Sequence, residues 1–423
     1  MKRRDFLALA GATAAGSLAG LAGCATGAAP SKARVVVVGG GFGGATAAKY
    51  IRMWDPKIDV VLVERDPSFI SCPISNLVLG GFTGMDDITR SIDSLQRQHG
   101  VQVVRDEVTA IDAAKKSVRL ARGGDIAYER LVVSPGIDFT FGDVQGYEQA
   151  MQSGRVLHAW KAGPQTVALR QQLTQMRDGG VYVLSIPVQP YRCPPGPYER
   201  ASVVAAYFKQ AKPRSKVLIL DANPDVTSKA GLFKRAWSDL YPGIIEYRGN
   251  SRAVGVDAAS MNVHLEVEDV KGDVLNVVPP HRAGDIAAKA GLITTNNRWC
   301  DVDWRTMESK AVKGIHVLGD ATLSAPAMPK SASMANNHAK IAAGAIVDFL
   351  NNREPQPLKI LNTCYSFVSQ KEAIRVSSVH EWDPAQGTLV GVKGSGGVSA
   401  ARSEAEGNYA WNWAKTIWAD SLG

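Results

Sequence analysis

None of the five cysteines pairs with another in a C-x-x-C spacing, which argues against a zinc site. No C-x-x-C-H occurs either, so any haem that works with this chain must be carried by another polypeptide. Long basic runs are also missing. Lys and Arg exceed Asp and Glu by 48 to 40, but the charges are scattered, which disfavours nucleic acid. What remains is an ordinary basic surface, or a net field that draws in an anionic substrate or an acidic partner. The apolar stretch from Leu7 to Gly23 is too short and glycine-rich for a stable membrane span. With 45% hydrophobic and 21% charged residues, the chain is neither disordered nor a coiled coil. Its 423 residues suffice for two or three domains with cores that need no staples.

The opening residues read as an address rather than as fold. Met1-Lys2-Arg3-Arg4-Asp5-Phe6-Leu7 places two arginines before the apolar stretch, and small residues follow to Ala29. This is the pattern of a twin-arginine export signal over 1–29, with a periplasmic mature protein expected. That route carries proteins folded before export, typically around a cofactor, which hints at a redox enzyme. Leu21-Ala22-Gly23-Cys24 also fits a lipoprotein cleavage box, so a membrane tether is expected only if Cys24 is lipidated; ordinary cleavage near Ala29 is the competing exit.

Arg34 to Val38 is a β-branched run suited to a buried parallel strand, and Gly39, Gly41 and Gly44 follow as G-x-G-x-x-G. An alanine-rich helix from Ala45 to Trp54 and a strand from Asp59 to Val63 lead to Glu64. Each part has a task in dinucleotide binding. Gly39 permits the tight turn, Gly41 lets backbone approach a pyrophosphate, Gly44 lets helix pack on strand, and Glu64 takes a ribose hydroxyl pair. Two later segments favour FAD. Leu131-Val132-Val133-Ser134-Pro135-Gly136 resembles the turn that returns to the flavin in two-dinucleotide-domain flavoproteins. Gly314-Ile315-His316-Val317-Leu318-Gly319-Asp320 resembles their late motif, with Asp320 on the ribityl or phosphate region or, alternatively or in addition, capping the following helix. A second such domain has its strands at Gly180–Leu184 and Lys216–Asp221, yet Ser185-Ile186-Pro187-Val188-Gln189-Pro190 stands where a glycine cradle belongs. Prolines there remove backbone donors, so NAD is not expected as a partner.

Three cysteines fall beside these elements. Cys193 lies in Tyr191-Arg192-Cys193-Pro194-Pro195-Gly196-Pro197-Tyr198-Glu199-Arg200, and a helix covering Ala201–Gln210 is expected to begin within or just after this run, where Arg192 and the helix start would favour a thiolate. Glu199 falls six residues on, within reach as a proton acceptor if the loop folds back. Cys72 follows the Glu64 strand on the flavin side, and Cys364 lies in Leu361-Asn362-Thr363-Cys364-Tyr365-Ser366. Cys300 reads as structural, Trp411 and Trp418 as the apolar face of a closing helix, and His158 and His338 show no ligand-like spacing, so no metal is assigned.

These stretches carry a resemblance. V-V-V-V-G-G-G-F-G-G-A-T-A-A-K-Y from Val35, R-C-P-P-G-P-Y-E-R-A from Arg192, P-P-H-R-A-G from Pro279, G-I-H-V-L-G-D-A from Gly314, M-P-K-S from Met328 and L-N-T-C-Y-S from Leu361 are similar to the flavoprotein subunit of flavocytochrome c sulfide dehydrogenase. The resemblance implies an α/β fold of two Rossmann-like domains, of the glutathione-reductase kind, plus a C-terminal α+β interface domain. The FAD-binding domain would take 34–160 and 281–355, the second Rossmann domain 161–280 and the interface domain 356–423. It further implies FAD bonded through Cys72, a redox-active disulfide of Cys193 and Cys364, Glu199 as base, and Trp413 near the flavin. Pro73 follows Cys72 where the family is expected to carry a bulkier residue. Hydrosulfide would attack the disulfide, and electrons would pass through FAD to a c-type cytochrome subunit. A sulfide:quinone oxidoreductase is the nearest alternative, although residues 409–418 are interrupted by Asn412 and Lys415 where an apolar anchor is needed. A flavoprotein that only relays electrons is another, and an NAD-linked disulfide reductase would need a nearby C-x4-C pair that is missing.

Overall fold

The computed structural model describes residues 33–423. The export signal and Cys24 lie outside the described residues. Val35, Val36 and Val37 are fully buried on both faces of their strand, which explains the unbroken valine run. Their strand, Ala33–Val38, pairs in parallel with Ile58–Val63 on one side and Arg130–Val133 on the other. Gln102–Val104 and Ile315–Val317 extend the parallel order at either end, and Glu308–Ser309 and Val302–Asp303 close it antiparallel, seven strands in all. Helices Phe42–Trp54 and Ala332–Leu350 cover this sheet with small side chains that allow close approach.

A second, wholly parallel sheet runs Val156–Leu157, Val274–Val277, Val181–Ile186, Lys216–Asp221, Ile245–Arg248. Its first strand lies upstream of the expected boundary at residue 161. Two residues are too few to show a period, and only the pairing with Leu275 and Asn276 assigns them. The C-terminal unit is an antiparallel sheet built on Ile360–Phe367 and Ala373–Asp383, closed by helix Glu404–Leu422. That helix is latched to the first domain. Tyr50 donates to the Asp420 carboxylate at 2.6 Å, Asn336 at 2.7 Å, and the Trp418 indole N–H reaches Ser71 Oγ at 2.9 Å.

Candidate active site

One cavity of about 550 Å³ opens between the three units. Gly39, Gly41, Glu64, Cys72, Gly136, Cys193, Glu199, Asp320, Cys364 and Trp413 all line it. Gly44 does not, and its role is the one its spacing suggests. A Cβ there would meet the Gly39 carbonyl oxygen at 1.8 Å, so only glycine lets the helix sit on the turn. Gly41 differs: a Cβ there would meet nothing within 4 Å and would project into open space at the start of helix Phe42–Trp54. Glu64 is held by the Gly40 N–H at 2.5 Å and the Asp66 N–H at 2.8 Å, at the edge of the same space.

The far end of the cavity holds Asp320 in a short 3-10 turn, Gly319–Ala321. It does not cap the long helix. Ser331 does, accepting from the Met334 N–H at 3.0 Å. Asp320 Oδ1 is buried without a hydrogen-bond partner, and burial pushes its carboxyl up, opposed by Arg192 and Lys330. An orphaned buried acceptor on a cavity wall calls for a donor from a bound molecule. The open glycine turn, the carboxylate at the end of the second strand and this orphan together fit FAD; Gly39–Gly43 would face its pyrophosphate, Glu64 its ribose and Asp320 its ribityl side.

Cys72, Cys193 and Cys364 all line this cavity. Cys72 lies in a tight turn whose carbonyl accepts from Ser75 N–H at 3.1 Å and Ser75 Oγ at 2.6 Å. Cys193 has φ near +60°, a left-handed conformation that costs a non-glycine residue about 1–2 kcal/mol. Its N–H donates to the Lys330 carbonyl at 2.8 Å and its carbonyl accepts from Gly196 N–H at 2.8 Å. The helix beyond begins within the run, at Gly196, because Pro195 and Pro197 suit a helix start. Glu199 is therefore fixed in the first helical turn instead of riding on a loop.

Cys193 and Cys364 line the cavity together as unbonded thiols, near enough for Cys364 to disfavour ionisation of Cys193. The expected stabilisation of a Cys193 thiolate by Arg192 and the helix start does not prevail. Burial pushes this thiol well up; Arg192 only partly offsets it, and its guanidinium is committed to the Trp160 carbonyl. The Cys364 thiol is also raised by burial, with Lys229 and the Asn362 hydrogen bond (Sγ to Oδ1, 3.3 Å) working the other way. Burial raises Glu199 too, against hydrogen bonds from Phe367 N–H at 2.8 Å and Asn76 Nδ2 at 2.8 Å. The result is a carboxyl able to exchange a proton beside two thiols.

Three residues given no role from sequence complete the site. Asn76 joins Glu199 to Arg200, accepting from the guanidinium at 3.1 Å. Arg200 is buried and anchored on the His158 and Ala159 carbonyls and on Asn276. Arg200 belongs to the R-C-P-P-G-P-Y-E-R-A motif, and Asn76 follows Cys72 by four residues outside any motif. Lys229, beside Cys364, stood in no motif. Trp413 stands 6.3 Å from Tyr365, ring to ring. Trp418 is buried as expected of a helix face, and Cys300 is wholly buried.

The second domain's nucleotide position is filled by its own side chains. Asp221, at the end of strand Lys216–Asp221, accepts from Tyr198 OH at 2.7 Å, Tyr247 OH at 3.1 Å and Asn223 N–H at 2.9 Å. Asn223 in turn ties down the Pro187 carbonyl at 3.0 Å and the Gln189 N–H at 3.1 Å.

Comparison with known proteins addresses the family. Residues 166–279 match the family model "Sulfide dehydrogenase [flavocytochrome c] flavoprotein chain, central", and 356–422 match "Flavocytochrome c sulphide dehydrogenase, flavin-binding". Residues 33–171 match "Pyridine nucleotide-disulphide oxidoreductase". The mitochondrial sulfide:quinone oxidoreductase of Mus musculus is 26% identical over 300 residues, covering 68% of this chain and 65% of its own length. The sulfide dehydrogenase [flavocytochrome c] flavoprotein chain of Chlorobaculum thiosulfatiphilum is 64% identical over 45 residues, 11% of this chain and 94% of that sequence. The solved sulfide:quinone oxidoreductase of Aquifex aeolicus shares the fold at TM-score 0.75 and 19% identity, covering 92% of this chain and 91% of that one. The chain belongs to the sulfide-oxidising flavoprotein family of flavocytochrome c sulfide dehydrogenase.

Proposed function

We propose that this chain is the flavoprotein subunit of a flavocytochrome c sulfide dehydrogenase, exported to the periplasm. It oxidises sulfide at Cys193 and Cys364 and delivers electrons to a c-type cytochrome on a separate polypeptide. One observation carries the reading: two cysteines 171 positions apart (364 − 193) line one cavity whose other walls fit FAD. In the oxidised pair hydrosulfide bonds to one sulfur, the S–S bond breaks, and its electron pair leaves on the other sulfur as a thiolate. The sulfur gained stays on the protein as a persulfide, and Glu199 takes its proton. We assign the persulfide to Cys193 and the thiolate to Cys364. Bound FAD supplies the two-electron acceptor, and Cys72 is the residue proposed to hold it covalently.

A quinone acceptor is the second reading, favoured by the likeness to sulfide:quinone oxidoreductases. Against it, helix Glu404–Leu422 is committed to the first domain through Asp420 and Trp418. NADH as donor is opposed by the internal use of Asp221 and the proline-bearing turn before helix Gly196–Ala211. The test is to bleach the flavin with sulfide anaerobically, then add oxidised c-type cytochrome or a soluble quinone. Rapid reoxidation by cytochrome is expected; reoxidation by quinone alone, or bleaching by NADH in place of sulfide, overturns the proposal.

A further inference from the structure

Lys229 is buried and has no carboxylate within ion-pair distance among the described residues. It occupies the position just before helix Ala230–Leu240, and its Nζ stands 5.7 Å from the centre of the Phe233 ring, a contact that offsets only part of the cost of burying the charge. Its backbone is left-handed, with φ near +57°, a conformation uncommon for a long side chain. Its Nζ spends its three protons on neutral acceptors: Ser366 Oγ at 2.8 Å, the Cys364 carbonyl at 3.3 Å and the Ile374 carbonyl at 3.4 Å. Burial brings its pKa down to about 8. A buried cation under all these penalties persists when the surroundings need it.

The surroundings name the need. The ionisable groups that act on Lys229 are Cys364, Glu199, Cys193 and the more distant Glu406; Arg200 adds positive charge on the Glu199 side. Two of the four are thiols that burial holds neutral in the reduced protein. We infer that Lys229 is a positioning residue whose charge gains an added counter-charge during turnover, the thiolate released at Cys364. The ammonium grips the Cys364 carbonyl and the Ser366 hydroxyl on the same strand, so the strand and the charge are held as one unit. This deepens the disulfide reading above and rests on it.

The experiment reads the thiol rather than turnover. In the flavin-loaded, reduced protein carrying Cys193→Ser, peptide-resolved alkylation of Cys364 by iodoacetamide is followed at about pH 7, where Lys229 is still charged. Adding Lys229→Met should slow this alkylation about tenfold or more, the consequence of losing an opposite charge beside the small thiolate fraction that reacts. Lys229→Arg should restore it. Should Lys229→Met not fold, Lys229→Gln, which keeps a donor for Ser366, carries the same expectation. An unchanged rate in the uncharged variant overturns the inference. Failure of sulfide to bleach the native flavin would instead remove the disulfide reading and leave the alkylation result standing.

Discussion

His338 offers a quantitative test of how this fold treats acid. Its Nδ1 accepts the Gly319 N–H at 3.2 Å, so the ring proton is on Nε2, which faces Met328 Sδ at 3.4 Å. A second proton would have to go on Nδ1, against that N–H, in a fully enclosed position beside Trp304. Burial, helped by Lys330, lowers the pKa from 6.5 to about 3. The folded value is depressed, so as pH falls below 6.5 the unfolded chain takes a proton that the native protein refuses until about pH 3. Stability is therefore lost on acidification, by about 1.4 kcal/mol per pH unit for this group. His158 and His316 add the same sign, while the raised carboxyls of Glu199, Asp221 and Asp320 act in the opposite direction. A difference between two proteins cancels both. His338→Asn keeps an acceptor for Gly319 and removes the titration. Urea unfolding of both proteins, followed by tryptophan fluorescence, should show the native advantage shrink by about 2–3 kcal/mol between about pH 6.5 and pH 4.5. A stability difference that is the same at both pH values refutes the reasoning.

Three further outcomes follow from the site. Gly44→Ala drives a Cβ into the Gly39 carbonyl and should lower the melting temperature of the flavin-free protein, whereas Gly41→Ala should leave that temperature unchanged and reduce flavin content; the reverse pattern contradicts the assigned roles. Cys72→Ser should release FAD on acid precipitation from a folded protein, and flavin that is already extractable from the native chain ends the covalent proposal. Glu199→Gln keeps acceptance from Phe367 N–H and should alter the pH profile of flavin reduction with only a modest loss of rate, because hydrosulfide is already anionic near neutral pH; complete loss would make Glu199 more than a base.

The flavin half of the site is legible because local rules govern it. A valine run, three spaced glycines and an acidic residue after the next strand each act within about 30 residues, and G-x-G-x-x-G leaves little freedom. The three cysteines were found by chemistry and resemblance; that Cys193 and Cys364 share a cavity depends on contacts between units far apart in sequence. What sequence misjudged was mostly solvation. Arg192 and a helix start favour a thiolate at Cys193, but sequence does not show that burial outweighs them or that the guanidinium is used by the Trp160 carbonyl. Lys229 is hidden for the same reason: a lysine among Ser228, Ala230 and Gly231 has the local setting of an exposed residue, and only the C-terminal sheet, through Cys364, Ser366 and Ile374, buries it. Ser331, and not Asp320, caps the long helix, a choice decided by where the chain turns after Thr322.

The central claim is that Cys193 and Cys364 act as one oxidant toward sulfide. Stopped-flow bleaching of the flavin by sulfide, without any acceptor, tests it most directly in Cys193→Ser, Cys364→Ser and the double variant. Loss of either sulfur removes the electrophile, so the two single variants should be comparably inactive and the double variant no worse, the non-additivity of residues that work as a unit. Near-native flavin reduction in either single variant would contradict the account.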